Sequence, residues 1–230
     1  MDNDALLVQL QGDVIAIQAV ALAGGPDLDR PVPTCPGWTV TELLGHLWVI
    51  ETWVRAILRG REAEPTPDVG PSPVADFIDG IPDFLTAMRA ITADEPCWNF
   101  GPEPRRAGWW IRRQAHEHAM HRVDLEAALG VAPTFDAAFA ADGVDEVLSV
   151  FYPRQVRLER IGPIAETIRI VAADTGDEWA LGDGDPVASV TADASALYLG
   201  VWKRSDLAAV ACIDGDAAAV RRTLSVALTP

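Results

Sequence analysis

The chain has 230 residues, 49% hydrophobic and 23% charged, enough to bury a core in one large domain or two modest ones. Its 34 acidic residues against 18 basic give a formal charge of −16, a field that repels nucleic acid and anionic membranes and argues against both as partners. Cys35, Cys97 and Cys212 are far apart, odd in number and outside any CxxC pair, which points away from disulfide frameworks and thiolate zinc sites. The N-terminus lacks the basic start of a signal peptide, and no stretch approaches the roughly 20 apolar residues of a membrane span, so a cytoplasmic location is expected.

Leu6, Leu7, Leu10, Val14, Ile17 and Ala21 recur at helical spacing and predict a first helix over 4–22, stopped by Gly24-Gly25-Pro26. The loop PVPTCPGW follows, too rich in proline for regular structure. Thr39 and Glu42 stand three apart as a capping box and open a second helix ending near Gly60. Its apolar stripe is Leu43, Leu47, Ile50, Val54 and Ile57, with His46 on the border. After a proline-rich connection, 74–93 returns to helical pattern, with Pro82 implying a late start or a kink. A fourth helix over 108–129 contains no proline and ends at Gly130, a suitable C-terminal cap. One more long helix is expected over 135–160, disturbed near Pro153.

Beyond Gly162-Pro163 the texture changes. ETIRIVAAD, TGDEWALGDGD and VASVTAD read as strands, 194–202 as a short helix, LAAVACIDGD as a strand and 217–228 as a closing helix. The expected fold class is therefore α + α/β: a helical bundle over 1–161, then a small mixed α/β domain over 162–230, too small for an independent core and expected to dock on the helices with the active cleft between them.

The fourth helix carries the chemistry. It holds His116, His118 and His121, three of the four histidines. Glu117 and His121 are four apart, separated by about 40° around a helix axis, and Asp124 falls close to the same line. With His46 from the second helix they would supply the three His and Glu ligands of a catalytic zinc site, leaving one position open. The plainer reading places His116 and His118 on a wet face and pairs Glu117 with an arginine. His116-Glu117 does not begin a zinc-peptidase HExxH motif, because His121 comes one residue late, about 140° away from His116. No serine sits in a GxSxG elbow, the cysteines lack an activating partner, and Cys35 and Cys212 read as small buried hydrophobes. A nucleophile would then come from outside, as a metal-bound water or a thiol cosubstrate. Arg112 and Arg113 flank the metal face, and Lys203-Arg204 end the helix at 194–202; arginine suits a carboxylate-bearing substrate, although solvated arginines are the commoner case.

Three stretches together, PVPTCPGWTVTELLGHLWVIETWV, WWIRRQAHEHAMHRVDLEAALG and the module ending near WKRSDLAAVACIDGD, resemble the mycothiol-dependent maleylpyruvate isomerase family over nearly the whole chain. The resemblance implies a DinB-like four-helix bundle followed by a small α/β domain. It implies zinc, or another divalent metal, on His46, Glu117 and His121, and mycothiol as the thiol cosubstrate. It matches Arg204 to a family arginine near the substrate in a W-G-R-like segment, with Lys203 where the family has glycine. Asp124 would orient His121 from behind the metal, or serve as an ion-pair partner of Arg122 or Arg113. The expected function is a zinc-dependent, mycothiol-using isomerase or S-transferase acting on a small electrophile, as monomer or homodimer. The alternatives are a metal- or ligand-binding protein without turnover and a metal-dependent hydrolase.

Overall fold

The computed structural model describes residues 1–230 and shows two compact units, Met1–Pro133 and Thr134–Pro230. The first is built from α1 (Asn3–Ala23), α2 (Val40–Gly60), α3 (Pro73–Arg89) and α4 (Trp109–Leu129). Its main packings are α1 along α4 and α2 along α3. Each helix start has a local cause. Asp2 accepts from the Ala5 amide at 2.8 Å, Thr39 and Glu42 form the expected capping box, and Pro73 takes a first-turn position where its missing N–H is not needed. Pro82 lies inside α3, and the helix nevertheless runs on to Arg89, with the Thr86 hydroxyl bonded to the Pro82 carbonyl at 2.7 Å.

The core of this unit is made by Leu10, Val14 and Ile17 of α1, Leu43, Leu47 and Ile57 of α2, Phe77 and Phe84 of α3, and Trp110 and Ala115 of α4. Burial of each large side chain contributes about 1.5–3 kcal/mol. One sequence expectation is corrected here: α1 is by length and composition apolar enough to cross a membrane. Its polar residues are too few and too scattered to lower its hydropathy, and Leu6, Leu10, Val14, Ile17 and Ala21 are buried.

The second unit begins with α5 (Ala137–Glu146), a π-turn (Val147–Phe151) and α6 (Tyr152–Arg157), a nearly continuous helix loosened just before Pro153. A four-stranded sheet follows in the order β2 (Glu178–Leu181), β1 (Ile168–Ala172), β3 (Ala188–Ala192), β4 (Cys212–Gly215). β1 and β3 are parallel, with Ile168 opposite Ala188; β2 and β4 are antiparallel edges. Ile168, Ile170 and Ala172 are buried on one face while Arg169 points outward, the alternation expected of a half-buried strand. The remaining helices are α7 (Ala194–Val201), α8 (Leu207–Val210) and α9 (Ala217–Ser225).

Two boundaries move. The segment 207–216, read as one strand, splits, because the Asp206 carboxylate accepts from the Ala208 amide at 3.1 Å and starts a helical turn before β4. Residues 134–161, assigned by sequence to the helical bundle, belong to the second unit. There α5 packs on α7, and Tyr198 sits among Phe135 and Phe139 at centroid distances of 5.2 and 6.0 Å. Gly143 makes this approach possible: a Cβ there would lie 2.2 Å from the Tyr198 ring. Helix propensity alone favours Gly143→Ala by about 1 kcal/mol. Crowding against the buried ring opposes it, and the variant is expected to lose about 1–3 kcal/mol in urea denaturation. Unchanged or raised stability would show that the contact does not constrain α5.

Candidate metal centre

The site starts with a closed loop. Pro31 and Thr39 bridge its ends, the Val32 amide donates to the Trp38 carbonyl at 2.9 Å, and Gly37 takes a φ of 89° that other residues rarely adopt. This folding returns Cys35 and Trp38 to the start of α2, close to His46. Opposite them lies α4, most of whose ionisable residues are inside the protein: Arg113, His116, His118, His121, Arg122 and Asp124 are each at most 9% exposed, while Arg112, Glu117 and Glu126 are half-buried.

His46 Nε2 approaches Glu117 Oε1 at 3.3 Å, and His121 Nε2 approaches the same oxygen at 3.4 Å. The ligand atoms of the three residues lie within 4.8 Å of one another, a spacing at which two imidazoles and one carboxylate oxygen could share a cation. The second oxygen of Glu117 accepts from Arg113 Nη2 at 3.1 Å. Behind His121, Asp124 Oδ2 accepts from Nδ1 at 2.9 Å, which leaves Nε2 facing Glu117. Trp38 covers the pair, 5.0 Å from the His46 ring and 6.4 Å from that of His121.

The electrostatics follow from these contacts. Burial pushes the Glu117 carboxyl up, but hydrogen bonds from His121 and His46 and the charges of His121 and Arg113 hold it well below the usual carboxylate range. Burial opposes a charged His121, yet Asp124 and Glu117 outweigh it and raise its pKa from 6.5 to about 9.

Of the two plain alternatives, one is seen in the geometry and the other is corrected. Glu117 is paired to an arginine, as noted, whereas His116 and His118 are fully buried rather than wet. His118 Nδ1 donates to the Gln114 carbonyl at 2.9 Å, and its Nε2 meets Glu51 Oε1 at 3.0 Å. Arg122 pairs with Asp13 at 2.7 Å and with Glu126 at 2.5 Å. Asp124 takes the orienting contact with His121. Sequence reasoning overlooked Cys35, read as a packing residue: its Sγ–H donates to Asp124 Oδ2 at 3.4 Å, and with His121 and Asp124 it forms a second group of potential ligands. It lies far from Asp124 in sequence, so no spacing rule could reveal the contact.

The profile described as the Mycothiol maleylpyruvate isomerase N-terminal domain matches residues 14–126, and that of the MDMPI C-terminal domain matches residues 138–222. The chain belongs to the mycothiol maleylpyruvate isomerase family. Its fold is shared by a crystal structure of a histidine-to-alanine mutant of the mycothiol-dependent maleylpyruvate isomerase, with a TM-score of 0.68, 13% identity, and coverage of 94% of this chain and 95% of that one. A second crystal structure of that isomerase aligns with a TM-score of 0.62 and 13% identity, covering 87% and 88%. No curated protein matches the sequence.

In this member of the isomerase family, Arg204 lies in the second unit. Its Nη1 donates to the Trp202 carbonyl at 2.8 Å, and it borders a cavity of about 540 Å³ with Lys203, Ser205 and Asp206. Lys203 has a φ of 62°, the left-handed conformation that glycine favours. The Lys203 ammonium reaches the Leu224 carbonyl, which anchors the longer side chain.

The His121–Asp124 contact yields a titration. In metal-free protein the imidazolium stabilises the fold fully below pH 6.5, and that contribution is lost as pH rises through about 9. A histidine NMR titration should place the His121 midpoint near 9, and Asp124→Asn should move it down toward 6.5. A midpoint unaffected by the substitution would separate Asp124 from control of His121.

Proposed function

We propose that the chain is a cytoplasmic, metal-dependent enzyme that uses mycothiol for isomerisation or S-transfer on a small electrophile bearing a carboxylate. The observation that carries the reading is the convergence of His46 Nε2, Glu117 Oε1 and His121 Nε2 within 4.8 Å, in a chain of this family. Zinc is the preferred ion, since two imidazoles, one carboxylate and one open position form a catalytic zinc set. When bound, such an ion supplies the positive charge that favours a thiolate over a thiol at neutral pH.

The chain's own residues do the rest. Asp124 holds the Nδ1 proton of His121 and so presents Nε2 as the coordinating atom. Arg113 occupies the second oxygen of Glu117, leaving Oε1 for the shared position. Trp38 shields one side of both imidazoles from water. The side chain of His46 remains 28% exposed, so an incoming thiol has an approach from solvent. In the proposed reaction the thiolate adds to an activated double bond to give an enolate, rotation follows about the former double bond, and elimination returns the thiolate; in S-transfer the enolate takes up a proton from solvent and the adduct is the product. Arg204 is assigned the substrate carboxylate.

His46→Ala and Glu117→Ala are expected to lose most bound metal and to lower mycothiol-dependent turnover by about 100-fold or more, while keeping the native circular dichroism spectrum. Metal analysis and product assays check this. Full metal content in both variants would remove the ligand assignment, and turnover without thiol would favour a hydrolase.

A further inference from the structure

On the other side of the His121 ring a second set of donors meets. Asp124 Oδ2 accepts from His121 Nδ1 at 2.9 Å and from Cys35 Sγ at 3.4 Å. The donor atoms of Cys35, His121 and Asp124 all lie within 4.8 Å of one another. Asp124 and His121 are buried, while Cys35 is half-buried and opens the group to solvent. Its loop holds the thiol in place: the Cys35 amide donates to the Val32 carbonyl at 3.1 Å, and the Cys35 carbonyl accepts from the Trp38 amide at 3.0 Å.

Thiolate, imidazole and carboxylate are the ligand types that zinc takes. Tetrahedral coordination puts nitrogen and oxygen about 3.4 Å apart, and sulfur and oxygen about 3.6 Å apart. The two contacts here are shorter by about 0.5 Å or less, with protons where an ion would sit. Sulfur makes this group favour thiophilic ions more than His46, Glu117 and His121 do, which offer only nitrogen and oxygen. His121 would serve both groups through its two ring nitrogens, Nε2 toward Glu117 and Nδ1 toward Asp124. With a divalent ion in each, the ionic charges are matched by the Cys35 thiolate, Asp124, Glu117 and the bridging His121 ring. Arg113, already paired with Glu117, adds one further positive charge.

We propose that Cys35 Sγ, His121 Nδ1 and Asp124 Oδ2 form a metal site of their own for a thiophilic divalent cation, zinc or cadmium, supplied in excess. Through the His121 ring this ion joins the centre at His46 and Glu117. Binding releases the Cys35 thiol proton and the His121 Nδ1 proton to solvent, and Asp124 passes from holding that proton to ligating the ion. The site stands on its own donors; only the bridge rests on the metal-dependent reading above.

The test titrates metal-free protein with excess cobalt and no added thiol, following bound cobalt and the sulfur-to-cobalt charge-transfer band. The unmodified protein should bind about two ions per chain and show the band. Cys35→Ser should lose the band and about one ion while keeping the native circular dichroism spectrum. Cys97→Ser and Cys212→Ser should keep band and stoichiometry. Glu117→Ala should lose the other ion and retain the band. No band in the unmodified protein, a band that survives Cys35→Ser, or one that disappears in Glu117→Ala overturns the proposal. About one ion per chain, with ion and band both retained in Glu117→Ala, supports the Cys35 site but removes the centre at His46 and Glu117, and the bridge with it.

Discussion

A helix buried on nearly every side has to find a partner for each charge it carries, and α4 is such a helix. An isolated ion in a protein interior costs several kcal/mol, so the neighbours of α4 must answer its charges in kind. Asp13 of α1 answers Arg122, and Glu51 of α2 gives the buried His118 ring a hydrogen-bond partner. Within α4 itself Arg113 answers Glu117 and Asp124 answers His121, four and three residues away. Apolar stripes bring the helices together, and these polar contacts add directional constraints on how they meet.

The same constraint prepares the candidate site. With no cation in place, Glu117 is held ionised by His46, His121 and Arg113, while Asp124 keeps His121 protonated near neutrality. A metal ion at this point would replace a proton, so its binding would release acid. The donor set is assembled by the fold in advance because each donor already has an electrostatic reason to be there.

Outside the helices, short irregular segments have conformations that are fixed locally. The loop after α1 is closed by backbone hydrogen bonds and a positive φ at Gly37, which places Cys35 against Asp124 and Trp38 over the imidazoles. In the second unit, Lys203 keeps a backbone angle suited to glycine and uses its long side chain to reach the Leu224 carbonyl. The overall fold is shared with the solved isomerase structures at 13% identity.

The sequence alone determined what depends on neighbours along the chain. The capping box at Thr39 and Glu42, the four helices of the first unit and the Glu117–His121 spacing were all legible, because helix geometry converts sequence distance directly into direction. The change to strands after Gly162 was legible from alternation. Tertiary structure decided the rest. The burial of His116 and His118 was hidden, since a helix covered on all sides has no polar face to reveal it. The contact of Cys35 with Asp124 joins residues 89 apart in sequence, and the attachment of α5 to α7 depends on Gly143 meeting Tyr198. Periodicity marks which face of an element is apolar, but only packing determines which neighbour covers it.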